Sequence, residues 1–184
     1  MSEFSDRWLR VSGSLDRLII WVSYTAAWVI VLGLVVSGLA DVIGRQFFGV
    51  SLEILNTSMA ILFLALVMLF LGHAYLKDIH VRIDIVRERL KPRTAAWIEL
   101  AGILLVLFPL CWIVVAHGAV SVWSSFWHGE SLDTLHGFPV MWVIEAVVPI
   151  GFLLLTLAAV SVFIRNVLYL CGRHDHPAPQ AEKR

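Results

Sequence analysis

Charged residues are scarce in this sequence. They make up 15% of the 184 residues, whereas hydrophobic residues make up 59% and the mean hydropathy is +0.84. Soluble domains carry about a quarter charged and about half apolar residues. The formal net charge is zero, so the chain also lacks the basic field that holds a phosphate backbone. The composition therefore predicts an integral membrane protein and no nucleic-acid partner.

Cysteine is almost absent as well. Cys111 lies inside the third of four long apolar runs, and Cys171 follows the fourth. The two positions fall at opposite levels of the predicted membrane domain, which is incompatible with a structural disulfide. We interpret both cysteines as packing residues.

Four apolar runs are long enough to cross a bilayer. A hydrocarbon core of about 30 Å takes about 20 helical residues. The runs cover approximately residues 18–40, 54–76, 94–117 and 141–164. A membrane β-barrel would need short strands of alternating polarity, whereas these runs are continuously apolar. The predicted fold is therefore an all-α membrane protein with four transmembrane helices.

Lysine and arginine are confined almost entirely to one side of these runs. Thirteen of the fourteen lie in the N-terminal segment, in the link between the second and third runs, or after the fourth run, and only Arg45 lies on the other side. The positive-inside rule then places both termini and the second link in the cytoplasm. The predicted organisation is a cytoplasmic segment at 1–17, a membrane domain at 18–168 and a disordered cytoplasmic tail at 169–184.

Four ionisable residues fall within the predicted spans, where charge is costly and function is the default expectation. His73 and Glu99 lie near the predicted cytoplasmic face, and His117 and Glu145 lie toward the opposite face. These depths define two candidate intramembrane pairs, His73 with Glu99 and His117 with Glu145. The alternative is that all four are interfacial residues that extend toward the headgroups.

Two alternative functions follow from these residues. A haem or quinone-linked membrane anchor is disfavoured because His73 and His117 would lie roughly 30 Å apart along the membrane normal, too far for one haem iron. An independent small exporter that is coupled to protons would need a carboxylate near the middle of the membrane. The central stretches of the four runs contain none. No haem, metal or other cofactor is predicted.

Several residues within the runs bear on helix packing. Pro109 and Pro149 each remove a backbone hydrogen bond and are predicted to kink the third and fourth helices. Gly33 and Ser37 form a small-residue step that lets another helix approach closely. Most tryptophans fall near span ends, as expected for an interfacial belt, whereas Trp28 and Trp112 lie deeper.

The second link carries two apolar faces. A helix over about 79–91 would place one apolar stripe toward the membrane interface, and it is predicted to lie there. That stripe comprises Ile79, Ile83, Val86 and Leu90. Val81 and Ile85 form a second patch on roughly the opposite side, which points to a partner protein. His80 and Asp84 share one face, so a charge-assisted pair could brace the turn. A short extended piece before the helix is an alternative, because polarity alternates there.

The same link carries a family resemblance. HVRIDIVRERLKPR resembles the H-x-x-V/I-D and R-L-x-P-R patterns of the small membrane subunit of tripartite ATP-independent periplasmic (TRAP) transporters. Upstream, GRQFFGVSLE resembles the family's entry into the second span. Downstream, FPVMWVIEAVVPIGF resembles its P-x-x-W and P-x-G-F patterns. One departure is that many members carry a Trp and two carboxylates at the start of the second span, where this chain has only Glu53.

The resemblance implies a non-enzymatic scaffold subunit of a sodium-driven importer of small organic acids, in a bacterial or archaeal inner membrane. Its implied partners are a large membrane subunit, a periplasmic substrate-binding protein and the lipid bilayer. Substrate and sodium sites would then lie in the partner proteins. The candidate partner-contact residues are Gly33, Ser37, Arg45, Glu53, Ile79, His80, Val81, Ile83, Asp84, Ile85, Val86 and Leu90.

Overall fold

The structure is a computed structural model that describes residues 2–49, 53–77, 92–129 and 141–171. All regular structure in these ranges is helical, and we number the helices α1 to α4. α1 is Ser2–Phe48, α2 is Glu53–Leu76 and α4 is Met141–Leu170. α3 begins as Pro92–Gly102, passes through a π-helical segment at Ile103–Leu107 and continues as Phe108–His128. The predicted interfacial helix at 79–91 and most of the predicted tail, from residue 172, lie outside the described residues.

Each helix is long and apolar enough to cross a membrane. The membrane-length stretches are Ser12–Phe47, Ile54–Leu76, Arg93–His128 and Met141–Leu170. The all-α prediction with four such helices is therefore confirmed for the described residues.

Two helices extend well beyond their predicted spans. α1 begins at Ser2 rather than near residue 18, and α3 continues to His128 rather than ending near 117. Neither extension contains a proline, so the backbone hydrogen bonds continue past the apolar run. Both helices end where a glycine takes a left-handed conformation, with φ of 62° at Gly49 and 63° at Gly129. These glycines explain the C-terminal limits of α1 and α3.

The chain forms two compact units. The first unit comprises Met1–Trp21, Leu71–Ile113 and Leu153–Arg184, and the second comprises Val22–Phe70 and Val114–Phe152. In the first unit, the beginnings of α1 and α3 lie together with the ends of α2 and α4. Consecutive helices therefore run in opposite directions within it.

α4 is the most buried helix. Of the most apolar stretch of each helix, 44% is buried in α4, against 11% in α1, none in α2 and 17% in α3. In the first unit, Ile103, Ala159 and Val162 form an apolar core. The side chains packed against that core are Tyr75, Leu76, Leu107, Phe108 and Phe163. Within the first unit, α4 therefore supplies most of the apolar core, on which side chains of α2 and α3 pack.

Pro109 and Pro149 have different consequences for the backbone. A π-helical turn at Ile103–Leu107 ends two residues before Pro109, and at its end the Phe108 N–H donates to the Ile103 carbonyl. α4 instead continues as an α-helix through Pro149. The irregularity in α3 thus changes the pattern of backbone hydrogen bonds in the middle of a membrane-length helix.

Candidate assembly site

A buried polar network joins α1 to α4 in the first unit. Arg165 Nε donates to Ser12 Oγ at 2.9 Å, and Ser161 Oγ donates to Asp16 Oδ1 at 2.6 Å. The two serine hydroxyls lie 2.9 Å apart, and Arg165 forms an ion pair with Asp16. Both serines are fully buried. The network therefore joins one charge of each sign to two hydroxyls, across 149 residues of sequence.

The sequence indicates the spacing of these residues within each helix but not the contact between the two helices. Ser12 and Asp16 are four residues apart on α1, and Ser161 and Arg165 are four residues apart on α4. That spacing puts each pair on one helix face. Neither pair, taken alone, indicates that the face of α1 contacts the face of α4. The network was therefore absent from the residues that sequence patterns indicated.

Glycines allow close helix contacts in each unit. In the first unit, a Cβ on Gly72 of α2 would lie 2.9 Å from the Leu154 carbonyl oxygen of α4. In the second unit, a Cβ on Gly151 of α4 would lie 2.6 Å from the Met68 carbonyl oxygen of α2. Cβ atoms essentially never approach a backbone oxygen this closely. Only glycine fits at these two positions without movement of a backbone.

Glu145 of α4 meets two serines of α3 in the second unit. Its Oε2 accepts hydrogen bonds from Ser125 Oγ at 2.7 Å and from Ser121 Oγ at 3.1 Å. The predicted partner His117 is exposed on α3. The contacts between Glu145 and the serines connect α3 to α4, while the pairing of Glu145 with His117 stays a prediction.

His73 and Glu99 both belong to the first unit. The His73 side chain is buried, with 3% of its surface exposed, and Glu99 is half-buried. Burial of both is compatible with the predicted pair, which also stays a prediction.

The predicted small-residue step contacts α2 of the same chain in the second unit. A Cβ on Gly33 would lie 3.3 Å from Leu62 Cδ1. Ser37 is buried, and its hydroxyl donates to the Gly33 carbonyl at 2.6 Å. In this structure the step therefore serves contact between α1 and α2. A role for it toward another protein stays a prediction.

Arg45 lies near the end of α1 with a buried partner. Its Nη2 lies 2.7 Å from Asp41 Oδ2, and the Arg45 side chain is 55% exposed whereas that of Asp41 is 7% exposed. The buried carboxylate orients the guanidinium while leaving it accessible. The other predicted contact residues, namely the side chain of Glu53 and the residues of the second link, lie outside the described part of the structure.

The described residues contain no group of three or more His, Cys, Asp or Glu side chains arranged to hold a metal ion. Two polar arrangements of these residues join helices, namely the network of α1 and α4 and the contact of Glu145 with two serines.

Four membrane-length helices define a multi-pass membrane protein. The family model for the DctQ component of tripartite ATP-independent periplasmic transporters matches residues 34–168, and the chain belongs to this family. No curated protein and no solved structure matched the chain.

Family membership confirms the resemblance seen in the sequence. The DctQ component is part of a transporter and is not an enzyme. Membership implies association with the large membrane subunit and with the bilayer. The matched range begins within α1 and ends within α4, so it includes Ser161 and Arg165 of the polar network but not Ser12 and Asp16.

Proposed function

We propose that this chain is the scaffold subunit of a sodium-driven tripartite importer of small organic acids, in a bacterial or archaeal inner membrane. It supports the large membrane subunit and helps to dock the periplasmic binding protein. The observation that carries the proposal is the family match over residues 34–168.

The polar chemistry of the helices supports a scaffold. Transport of an anion with sodium needs oxygen ligands for the ion and, usually, broken helices whose N-termini face the anion near the midplane. The central stretches VIVLGLV, LFLALVM, LLVLFPL and GFLLLTL contain no carboxylate and no amide. The polar network of α1 and α4 and the contact of Glu145 with two serines of α3 connect one helix to another. Substrate and sodium sites are therefore assigned to the partner proteins.

The proposed orientation places both termini and the second link in the cytoplasm, because of the distribution of lysine and arginine. Arg45 then lies on the periplasmic side, held by Asp41 at 2.7 Å. We assign it as a contact for the binding protein. In the second link, the patch of Val81 and Ile85 is assigned to the large subunit, and the pair of His80 and Asp84 to bracing the turn.

The scaffold proposal predicts that the purified chain alone transports nothing. Reconstituted in liposomes with an inward sodium gradient, it should accumulate no organic acid, because its midplane lacks ligands for either solute. Addition of the large membrane subunit and the binding protein should establish uptake. Sodium-dependent accumulation by this chain alone would contradict the proposal and favour an independent transporter.

The orientation predicts the side from which single cysteines can be labelled. In a background lacking Cys111 and Cys171, a cysteine at Glu88 should resist a membrane-impermeant thiol reagent applied to the periplasmic side, because the second link is rich in positive charge. A cysteine at Ser131, in the link without lysine or arginine, should react and serves as the matched control. The reverse labelling pattern would refute the orientation.

A further inference from the structure

Asn166 of α4 is a fully buried amide in the first unit. It has 0% of its surface exposed. Within the described part of the chain, neither Nδ2 nor Oδ1 of its side chain has a hydrogen-bond partner. A polar group that is buried in this way gives up its bonds to bulk water and gains none from the protein. Buried polar side chains of native proteins are, with few exceptions, hydrogen-bonded to protein or to an ordered water molecule.

The position of Asn166 on α4 explains why the polar network does not satisfy its amide. Arg165 precedes it directly and contacts α1. Consecutive residues of an α-helix point about 100° apart, so Asn166 faces a different side. It lies four residues after Val162 and seven after Ala159, which places it on the face of α4 that forms the apolar core. The core face of α4 therefore carries an amide one turn beyond Val162.

The chemistry of an amide restricts what can satisfy it. Nδ2 donates and Oδ1 accepts, so the partner has to accept from one atom and donate to the other. A metal cation would bind only the oxygen, and an anion would bind only the nitrogen. A helix of another protein cannot contact a side chain that has no exposed surface. A water molecule both accepts and donates, and it is small enough to be held inside a folded chain.

We propose that Asn166 holds an ordered water molecule inside the first unit. The water accepts a hydrogen bond from Nδ2 and donates one to Oδ1, so both atoms of the amide are satisfied. The site needs no other protein and is therefore independent of the proposed function. A satisfied buried polar group favours one arrangement of a core over others. The hydrated amide thus helps to fix the rotation of α4 about its own axis, which the surrounding apolar contacts specify less sharply.

Selective ¹⁵N labelling of asparagine tests this site, because the chain contains only two asparagines, Asn56 and Asn166. Asn56 is exposed on α2 and is the matched control. NMR of the full chain in detergent micelles should show two pairs of side-chain amide protons. Asn56→Ser should remove one pair while the fold is kept, because the replaced side chain is exposed. The remaining pair then belongs to Asn166.

We expect the Asn166 amide protons to exchange with bulk water more slowly than those of Asn56, because the site is closed. They should nevertheless give a dipolar cross-peak to a water molecule of long residence time, which Asn56 should lack. Tyr75 packs against the core, and its hydroxyl proton could imitate such a signal. The cross-peak should therefore persist in Tyr75→Phe.

Three results would overturn the proposal. Slow exchange without a water cross-peak would mean that the amide is bonded to protein or to nothing. Exchange as fast as that of Asn56 would mean that the site is open to bulk water. Loss of the cross-peak in Tyr75→Phe would assign the signal to the tyrosine hydroxyl instead of a bound water.

Discussion

Replacement of Gly151 by alanine is expected to separate α2 from α4 and to destabilise the folded chain. The new Cβ would lie 2.6 Å from the Met68 carbonyl oxygen, 2.8 Å from Met68 Cβ and 2.9 Å from the Met68 carbonyl carbon. Two of these atoms are backbone, so relief requires a shift of one helix relative to the other. Overpacking of this kind typically costs about 1–3 kcal/mol, and occasionally more. Thermal unfolding of the purified chain in detergent would measure the loss.

Gly13→Ala is the matched control for this prediction. Gly13 lies inside α1, and a Cβ there would meet nothing within 4 Å. Alanine is favoured over glycine in a helix interior by about 1 kcal/mol, so this variant should equal or exceed the wild-type stability. If Gly151→Ala and wild type are equally stable, then α2 and α4 do not approach at Gly151 and Met68 as closely as described here.

Removal of the Asp16 carboxylate is expected to have the largest effect among the polar substitutions. Asp16→Ala removes the carboxylate that forms an ion pair with the Arg165 guanidinium and accepts from Ser161 Oγ at 2.6 Å. The side chains of Asp16 and Arg165 are only 14% and 21% exposed. Removing one partner of a buried ion pair costs about 3–5 kcal/mol, because the other charge stays buried. Denaturant or thermal unfolding in detergent would measure the difference.

Two further variants separate the ion pair from a general effect of charge in α1. Arg17→Ala removes the neighbouring charge, whose Nε contacts only its own helix among the described bonds, at the Gly13 carbonyl, so stability should change little. The double variant Asp16→Ala with Arg165→Leu should be more stable than Asp16→Ala alone, since the part-buried positive charge is removed together with the carboxylate that it contacts. Additive losses in the double variant would argue that the two residues do not interact.

Local patterns predicted the membrane class, the family and both ends of α2, but not every helix end. Residues 2–17 are polar enough to fall outside an apolar run, yet they continue α1 because they contain no proline. Residues 118–128 extend α3 for the same reason. Apolarity indicates where a helix meets lipid, whereas helicity depends on whether the backbone hydrogen bonds can continue. The predicted spans therefore located four helices and understated the lengths of α1, α3 and α4.

The glycines show why spacing alone is a weak guide to contact. Gly33 and Ser37 have the spacing expected of a close helix crossing, and Gly33 does contact Leu62. The closest approaches of α2 and α4 at glycines occur instead at Gly72 and Gly151, which no spacing of small residues indicated as a helix contact. The space beside a glycine depends on the neighbouring helix, and that neighbour is set by the packing of the whole chain.

The sequence by itself indicated that this is a membrane protein, how many membrane-length helices it has and which family it belongs to. Each depends on residues close together along the chain, namely the length of an apolar run or a short motif. Tertiary structure alone decided that Asp16 meets Arg165, that Glu145 meets Ser125, and that Trp112 is exposed. These outcomes depend on the rotation and register of whole helices. Rotation and register are set by many contacts at once, between residues as far apart as Ser12 and Ser161.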